Sequence, residues 1–143
     1  MKSLRNFRFI SRLDIKDEYL IKSINFEGLK KVGLAKDYAL DYYNNNIDEL
    51  FYIDGVSTLF NKTFIKSFLR MTCVKIRIPV TVGGGIKTIN QAKKILKSGA
   101  DKIAINTAAV KNPEIIKKLS EIIGSQSVVS YIEAKKNNVN QTW

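Results

Sequence analysis

With 143 residues, 45% hydrophobic and 26% charged with two prolines, the chain has the composition of one folded domain and none of the bias that marks disorder. The single cysteine, Cys73, excludes an intramolecular disulfide. The absence of histidine excludes histidine-based general-base catalysis and histidine metal sites, leaving acid–base work to carboxylates, lysine or tyrosine. A net charge of +11 raises nucleic-acid binding, but the lysines stand in scattered pairs such as Lys93 with Lys94 and Lys117 with Lys118, opposite apolar stripes, which reads as a solvated outer face.

The predicted elements begin with a strand over Phe7 to Ile15. The segment from Lys16 to Val32 is rich in charge and holds Gly28; it is predicted to be a flexible loop over a site, with Lys22 in reach of a phosphate. Leu34, Ala35, Tyr38, Ala39 and Tyr42 make the stripe of a first helix, broken at Asn44 to Asn46. A strand over Glu49 to Asp54 precedes a second helix striped by Phe60, Phe64, Ile65, Phe68 and Leu69. The strand from Ile78 to Val82 runs into Gly83, Gly84 and Gly85. Thr88 and Gln91 then have capping-box spacing, with Ala92, Ile95 and Leu96 on one face and Gly99 placed for a left-handed cap. After a strand over Lys102 to Ile105, Asn112 is expected to cap a helix with Pro113 in its first turn, running through Ile115, Ile116, Leu119, Ile122 and Ile123 to Gly124. A last strand is expected over Ser127 to Ile132.

Short apolar runs alternating with amphipathic helices argue for β-α units and a parallel sheet, here five strands and four helices. The fold class is α/β, of the parallel (β/α)8 TIM-barrel family. Such a barrel takes about 250 residues, so residues 1–143 are expected to form a single partial domain, units 1–4 plus strand 5. A parallel sheet gathers the residues at and just beyond the C-terminal end of each strand onto one face: Asp14, Asp54, Gly83 to Gly85 (with Gly84 and Gly85 as the binding candidates), Asn106 with Thr107, and Glu133. Glycines and small polar residues where a strand meets a helix build phosphate pockets from backbone N–H groups, so a phosphorylated small molecule is the expected ligand. The polar ending from Asn137 to Trp143, with no helix behind the fifth strand, suggests a chain that stops inside a unit. The absence of a basic-then-apolar leader and of an apolar span of about 20 residues points to the cytoplasm and away from the membrane.

Five segments carry a resemblance: Leu13 to Leu29 (L-D-I-K-D-E-Y-L-I-K-S-I-N-F-E-G-L), Ile47 to Asp54 (I-D-E-L-F-Y-I-D), Ile78 to Ile86 (I-P-V-T-V-G-G-G-I), Gly99 to Glu114 (G-A-D-K-I-A-I-N-T-A-A-V-K-N-P-E) and Gly124 to Lys135 (G-S-Q-S-V-V-S-Y-I-E-A-K). In order and without evident gaps, they resemble the cyclase subunit of imidazole glycerol phosphate synthase. The resemblance implies a glutaminase partner whose ammonia crosses the barrel and reacts with a phosphoribulosyl-formimino aminoimidazole carboxamide ribonucleotide. The implied products are imidazole glycerol phosphate, for histidine synthesis, and an aminoimidazole carboxamide ribonucleotide. It implies that Asp14 and Glu133 occupy the places of two catalytic aspartates. Gly84, Gly85, Asn106 and Thr107 fall in the half-site for one substrate phosphate, Lys22 matches a mobile-loop lysine, and Asp54 matches a further polar residue of the site. Arg8, Glu49 and Lys102 match three charged residues around the ammonia entrance. No cofactor and no metal are implied.

The departures are Glu133 in place of aspartate, and Arg12 and Tyr131, which point inward where the family has small residues. A guanidinium beside Asp14 disfavours its use as a proton donor. Arg12 with L-D-I-K and the S-Y-I-E-A run resemble a sister group found among surface-polysaccharide genes, thought to pass glutaminase-derived ammonia to an enzyme that amidinates a sugar. A half-barrel leaves an exposed edge and an uncovered interior, so self-association as a non-catalytic interaction module is the third reading. The 143 residues alone are expected to be inactive.

Overall fold

The computed structural model describes residues 7–24, 28–54 and 64–133. They form seven strands in one sheet, with five α-helices between them: β1 Ile10–Lys16, β2 Tyr19–Ile24, β3 Gly28–Leu34, α1 Ala35–Asn44, β4 Glu49–Asp54, α2 Phe64–Lys75, β5 Val80–Gly83, α3 Ile89–Lys97, β6 Lys102–Ile105, α4 Thr107–Lys111, α5 Glu114–Ile123 and β7 Val128–Ser130. The sheet order is β3-β2-β1-β4-β5-β6-β7. From β1 to β7 every pairing is parallel, as β-α crossovers require, and this arc is the partial β/α barrel that the alternation predicts.

Period-2 alternation divides each strand between two faces. Leu13, Ile15, Leu50, Tyr52, Val80, Val82, Ile103 and Ile105 are buried against Ala35, Ala39, Phe68, Leu69, Ala92, Ile95 and Leu119 of the helices, forming the core. The opposite face carries Arg12, Asp14, Phe51, Ile53, Thr81, Lys102 and Ala104, brought alongside one another by the register. That sheet is strongly curled. Four strand spacings would hold β1 and β7 about 19 Å apart if flat, yet Arg12 on β1 bonds Tyr131 and Glu133 just beyond β7.

Two expectations need correction. The segment from Lys16 to Val32 is a hairpin rather than a loop: β2 pairs antiparallel with both β1 and β3. The hairpin pairs with β1 at its C-terminal end, Ile15 with Leu20 and Lys16 with Tyr19, and Ile21 of β2 is buried. Thr107–Lys111 forms a helix of its own, which the sequence pattern did not separate, and Asn112 ends it with its N–H bonded to the Ala108 carbonyl; Asn112 is extended and its carbonyl accepts from Ile115, Pro113 is already in helical conformation, and no side-chain bond caps α5.

The Thr88–Gln91 capping box is present in full, and Gly99 takes φ +117° after α3. Glu49–Asp54 and Lys102–Ile105 fall where the sequence places them, while β1, β5 and β7 are shifted or shorter by one to three residues. Phe60, Lys135, Lys136 and the ending from Asn137 lie outside the described residues. Among the described residues no helix is long and apolar enough to cross a membrane.

Candidate active site

The C-terminal ends of the parallel strands surround a cavity of about 750 Å³. Every residue predicted for the catalytic and phosphate-binding face lines it: Asp14, Lys22, Asp54, Gly84, Gly85, Asn106, Thr107 and Glu133. The hairpin contributes Ile21, Lys22 and Leu29 as one wall.

On one side the cavity is walled by a glycine turn and the start of a helix. Gly84 and Gly85 have φ of +103° and +62°, and a Cβ on Gly84 would stand 2.5 Å from the Asp54 carbonyl oxygen. Only glycine allows this turn to lie directly on the end of β4. Asp54 is thereby 3% exposed, tucked under the turn. Across from it, Asn106 follows β6 at the cap position of α4, which begins at Thr107, where the first N–H groups of a helix have no intrahelical acceptor. The remaining amides and the Thr107 hydroxyl can surround a phosphate.

On the other side stands a polar cluster centred on Arg12. Its Nη2 is 2.7 Å and its Nε 2.9 Å from Asp14 Oδ1, and its Nη1 is 2.9 Å from Glu133 Oε1. The Tyr131 hydroxyl bonds both Arg12 and Glu133, and the Arg12 guanidinium lies 5.4 Å from the Tyr131 ring centroid. Phe51 packs edge-on against that ring at 5.3 Å. The hydrogen bond from Tyr131, against the opposing effect of burial and with help from Arg12, holds the Glu133 carboxyl below its ordinary range. Burial and the bond to Glu133 push the Tyr131 hydroxyl up to about 12. Burial opposes the charge on Arg12, but the bonds to Asp14 and Glu133 outweigh it and raise its guanidinium further. Arg12, Tyr131 and Glu133, three of the places where the sequence departs from the resemblance, are therefore one contact cluster.

At the opposite, N-terminal ends of the strands, Glu49 is 3% exposed and accepts bonds from Lys102 at 2.7 Å, Thr81 at 2.7 Å and Arg8 at 3.3 Å. Burial pushes its carboxyl up, but the bonds from Lys102 and Thr81 and the two positive charges win and lower it. Arg8, Glu49 and Lys102, predicted together, do meet. Lys87 and Lys111 also line the cavity and were not anticipated. Lys87 directly follows the glycine turn and could have been read with it, whereas Lys111 depends on the separate helix α4. Among the described residues no group of three His, Cys, Asp or Glu side chains could hold a metal ion.

Residues 8–143 match the family described as histidine biosynthesis protein. The chain is similar to proteins named imidazole glycerol phosphate synthase subunit HisF. The Legionella pneumophila protein is 46% identical over 140 residues, covering 98% of this chain and 66% of the relative. Those of Methanocaldococcus jannaschii and Streptococcus mutans are 45% and 40% identical, covering 94% and 95% of this chain and 49% and 54% of the relatives. The chain thus spans between about half and two thirds of the length of these relatives.

Proposed function

The chain belongs to the histidine biosynthesis protein family, and from that premise we propose that the intact protein is an ammonia-dependent cyclase of histidine synthesis. Ammonia released by a glutaminase partner reacts with the phosphoribulosyl-formimino ribonucleotide to give imidazole glycerol phosphate and aminoimidazole carboxamide ribonucleotide. Asp14 and Glu133 exchange protons with the substrate during ring closure. Gly84, Gly85, Asn106 and Thr107 bind one phosphate, with Lys22 reaching it from the hairpin and Asp54 supporting the glycine turn. Arg8, Glu49 and Lys102 ring the ammonia entrance, and the exposed Phe7, Phe9 and Ile10 beside Arg8 offer an apolar rim to the glutaminase. Residues 1–143 supply units 1–4 and strand 5 of the barrel, and the reaction takes place in the cytoplasm.

The observation that carries this reading is the placement of Asp14 and Glu133, far apart in sequence, on the same guanidinium at the rim of a cavity whose other side is the glycine turn and the start of α4. The test is turnover of the ribonucleotide with ammonium by the protein expressed from its complete gene. Both products are expected from the intact protein and none from the 143 residues alone. A complete protein that binds the ribonucleotide but forms neither product overturns the reading.

Arg12, standing between the carboxylates, favours one second reading: ammonia delivery for amidination of a sugar in surface-polysaccharide synthesis. Rescue of a histidine auxotroph by the complete gene supports the first; failure to rescue, with retained glutamine-dependent sugar amidination, supports the second.

A further inference from the structure

Among the described residues, the carboxylates of Asp14 and Glu133 are each held by one oxygen. Both Arg12 bonds to Asp14 end on Oδ1. Both donors to Glu133, Arg12 Nη1 and the Tyr131 hydroxyl, end on Oε1. Among the described residues, Asp14 Oδ2 and Glu133 Oε2 have no partner. A glutamate on the surface ordinarily samples many rotamers, and a catalytic group that must find its geometry at each turnover is slow. Here two donors converge on a single atom, and the donors are themselves fixed: the Tyr131 ring by Phe51, and the guanidinium by Asp14 on one side and the Tyr131 face on the other.

We propose that Arg12 and Tyr131 are positioning residues, clamping one oxygen of each carboxylate so that Glu133 Oε2 and Asp14 Oδ2 are presented to the substrate as a fixed pair. This rests on the reading of Asp14 and Glu133 as the groups that exchange protons with the substrate. The clamp also keeps Glu133 ionised to lower pH, through the Tyr131 bond first and Arg12 second. The other charged groups around the cavity are Lys22 from β2, Asp54 at the end of β4, Lys87 after β5 and Lys111 at the end of α4. The groups that lower the Glu133 carboxyl are Tyr131 and Arg12, so the clamp is the pair that sets its protonation.

The experiment compares wild type, Tyr131→Phe, Arg12→Gln, Arg12→Lys and Glu133→Gln in the protein expressed from its complete gene, with ammonium and the ribonucleotide, over a range of pH. Glu133→Gln is expected to abolish turnover. Tyr131→Phe, which keeps the ring on Phe51 and removes only the hydroxyl, is expected to lower kcat by about tenfold or more with KM little changed. The acid limb of its kcat profile moves to higher pH, because Glu133 loses the bond that lowers it. Arg12→Gln acts in the same direction, and Arg12→Lys restores part of the loss. If Glu133→Gln keeps wild-type turnover, the proton-exchange reading and the clamp fall together. If Glu133→Gln is inactive while Tyr131→Phe and Arg12→Gln keep kcat and an unshifted acid limb, or change KM alone, only the clamp is overturned. Should Arg12→Gln not fold, Tyr131→Phe decides by itself.

Discussion

The two ends of the strands carry ionic clusters of inverse composition. At the N-terminal ends one carboxylate, Glu49, meets two cations; at the C-terminal ends one cation, Arg12, meets two carboxylates. Their surroundings differ as much as their charge. The Glu49 side chain is 4% exposed, whereas those of Asp14 and Glu133 are 41% and 56% exposed. A buried carboxylate stripped of one partner cannot recover its solvation, so the lower cluster is committed to holding β4, β5 and β6 together, with Arg8 reaching it from just before β1. At the open end water competes for every bond, so the upper cluster adds little stability and its carboxylates remain available to a ligand. The same chemical groups are committed to structure where they are dry and left free to meet a ligand where they are wet.

The sharpest way to break this contrast is Lys102→Met, which leaves the buried Glu49 with the Thr81 hydroxyl and the mostly exposed Arg8 as its remaining partners. It is expected to cost about 3 kcal/mol or more in a urea denaturation series; a cost below about 1 kcal/mol would erase the distinction between the two ends. Acid sharpens the contrast next. Glu49 is held below the ordinary glutamate range, so its contribution to stability is complete above that range and is lost as the pH falls through its lowered folded value. A Tm series should therefore fall on acidification below the ordinary range, and Glu49→Gln should flatten that fall while lowering Tm at neutral pH. Arg12→Gln is expected to change stability by about 1 kcal/mol or less, since both its ion pairs are half-exposed, even as it impairs turnover. Arg8→Ala should have the smallest effect, about 0.5 kcal/mol, because its side chain is 64% exposed and its bond to Glu49 is the longest of the three.

The helices α3 and α5 and the strands β4 and β6 were legible because each carries its own signal: a cap, an apolar stripe or a run bounded by turn residues. The hairpin was not. Lys22, Lys30 and Lys31 interrupt the apolar pattern on which a strand is recognised, and β2 is held as a strand by its pairing with β3, from Tyr19 with Leu34 to Ile24 with Gly28, which no local window contains. Lys31 lies over the Tyr19 ring at 3.9 Å, a cross-strand contact that only the register of β2 and β3 creates. The separate helix α4 was missed for a related reason, since Thr107–Lys111 is too short to show a period.

By itself the sequence determined the alternation of strands and helices, the glycine turn and the presence of carboxylates at the ends of β1 and beyond β7, because these follow from local periodicity and from the fixed direction of a parallel sheet. Only the tertiary structure decided that Arg12, Tyr131 and Glu133 are one cluster. Their meeting depends on the curl that brings the first and last parallel strands face to face, and that curl is a property of all five strands packed on their helices rather than of any one of them.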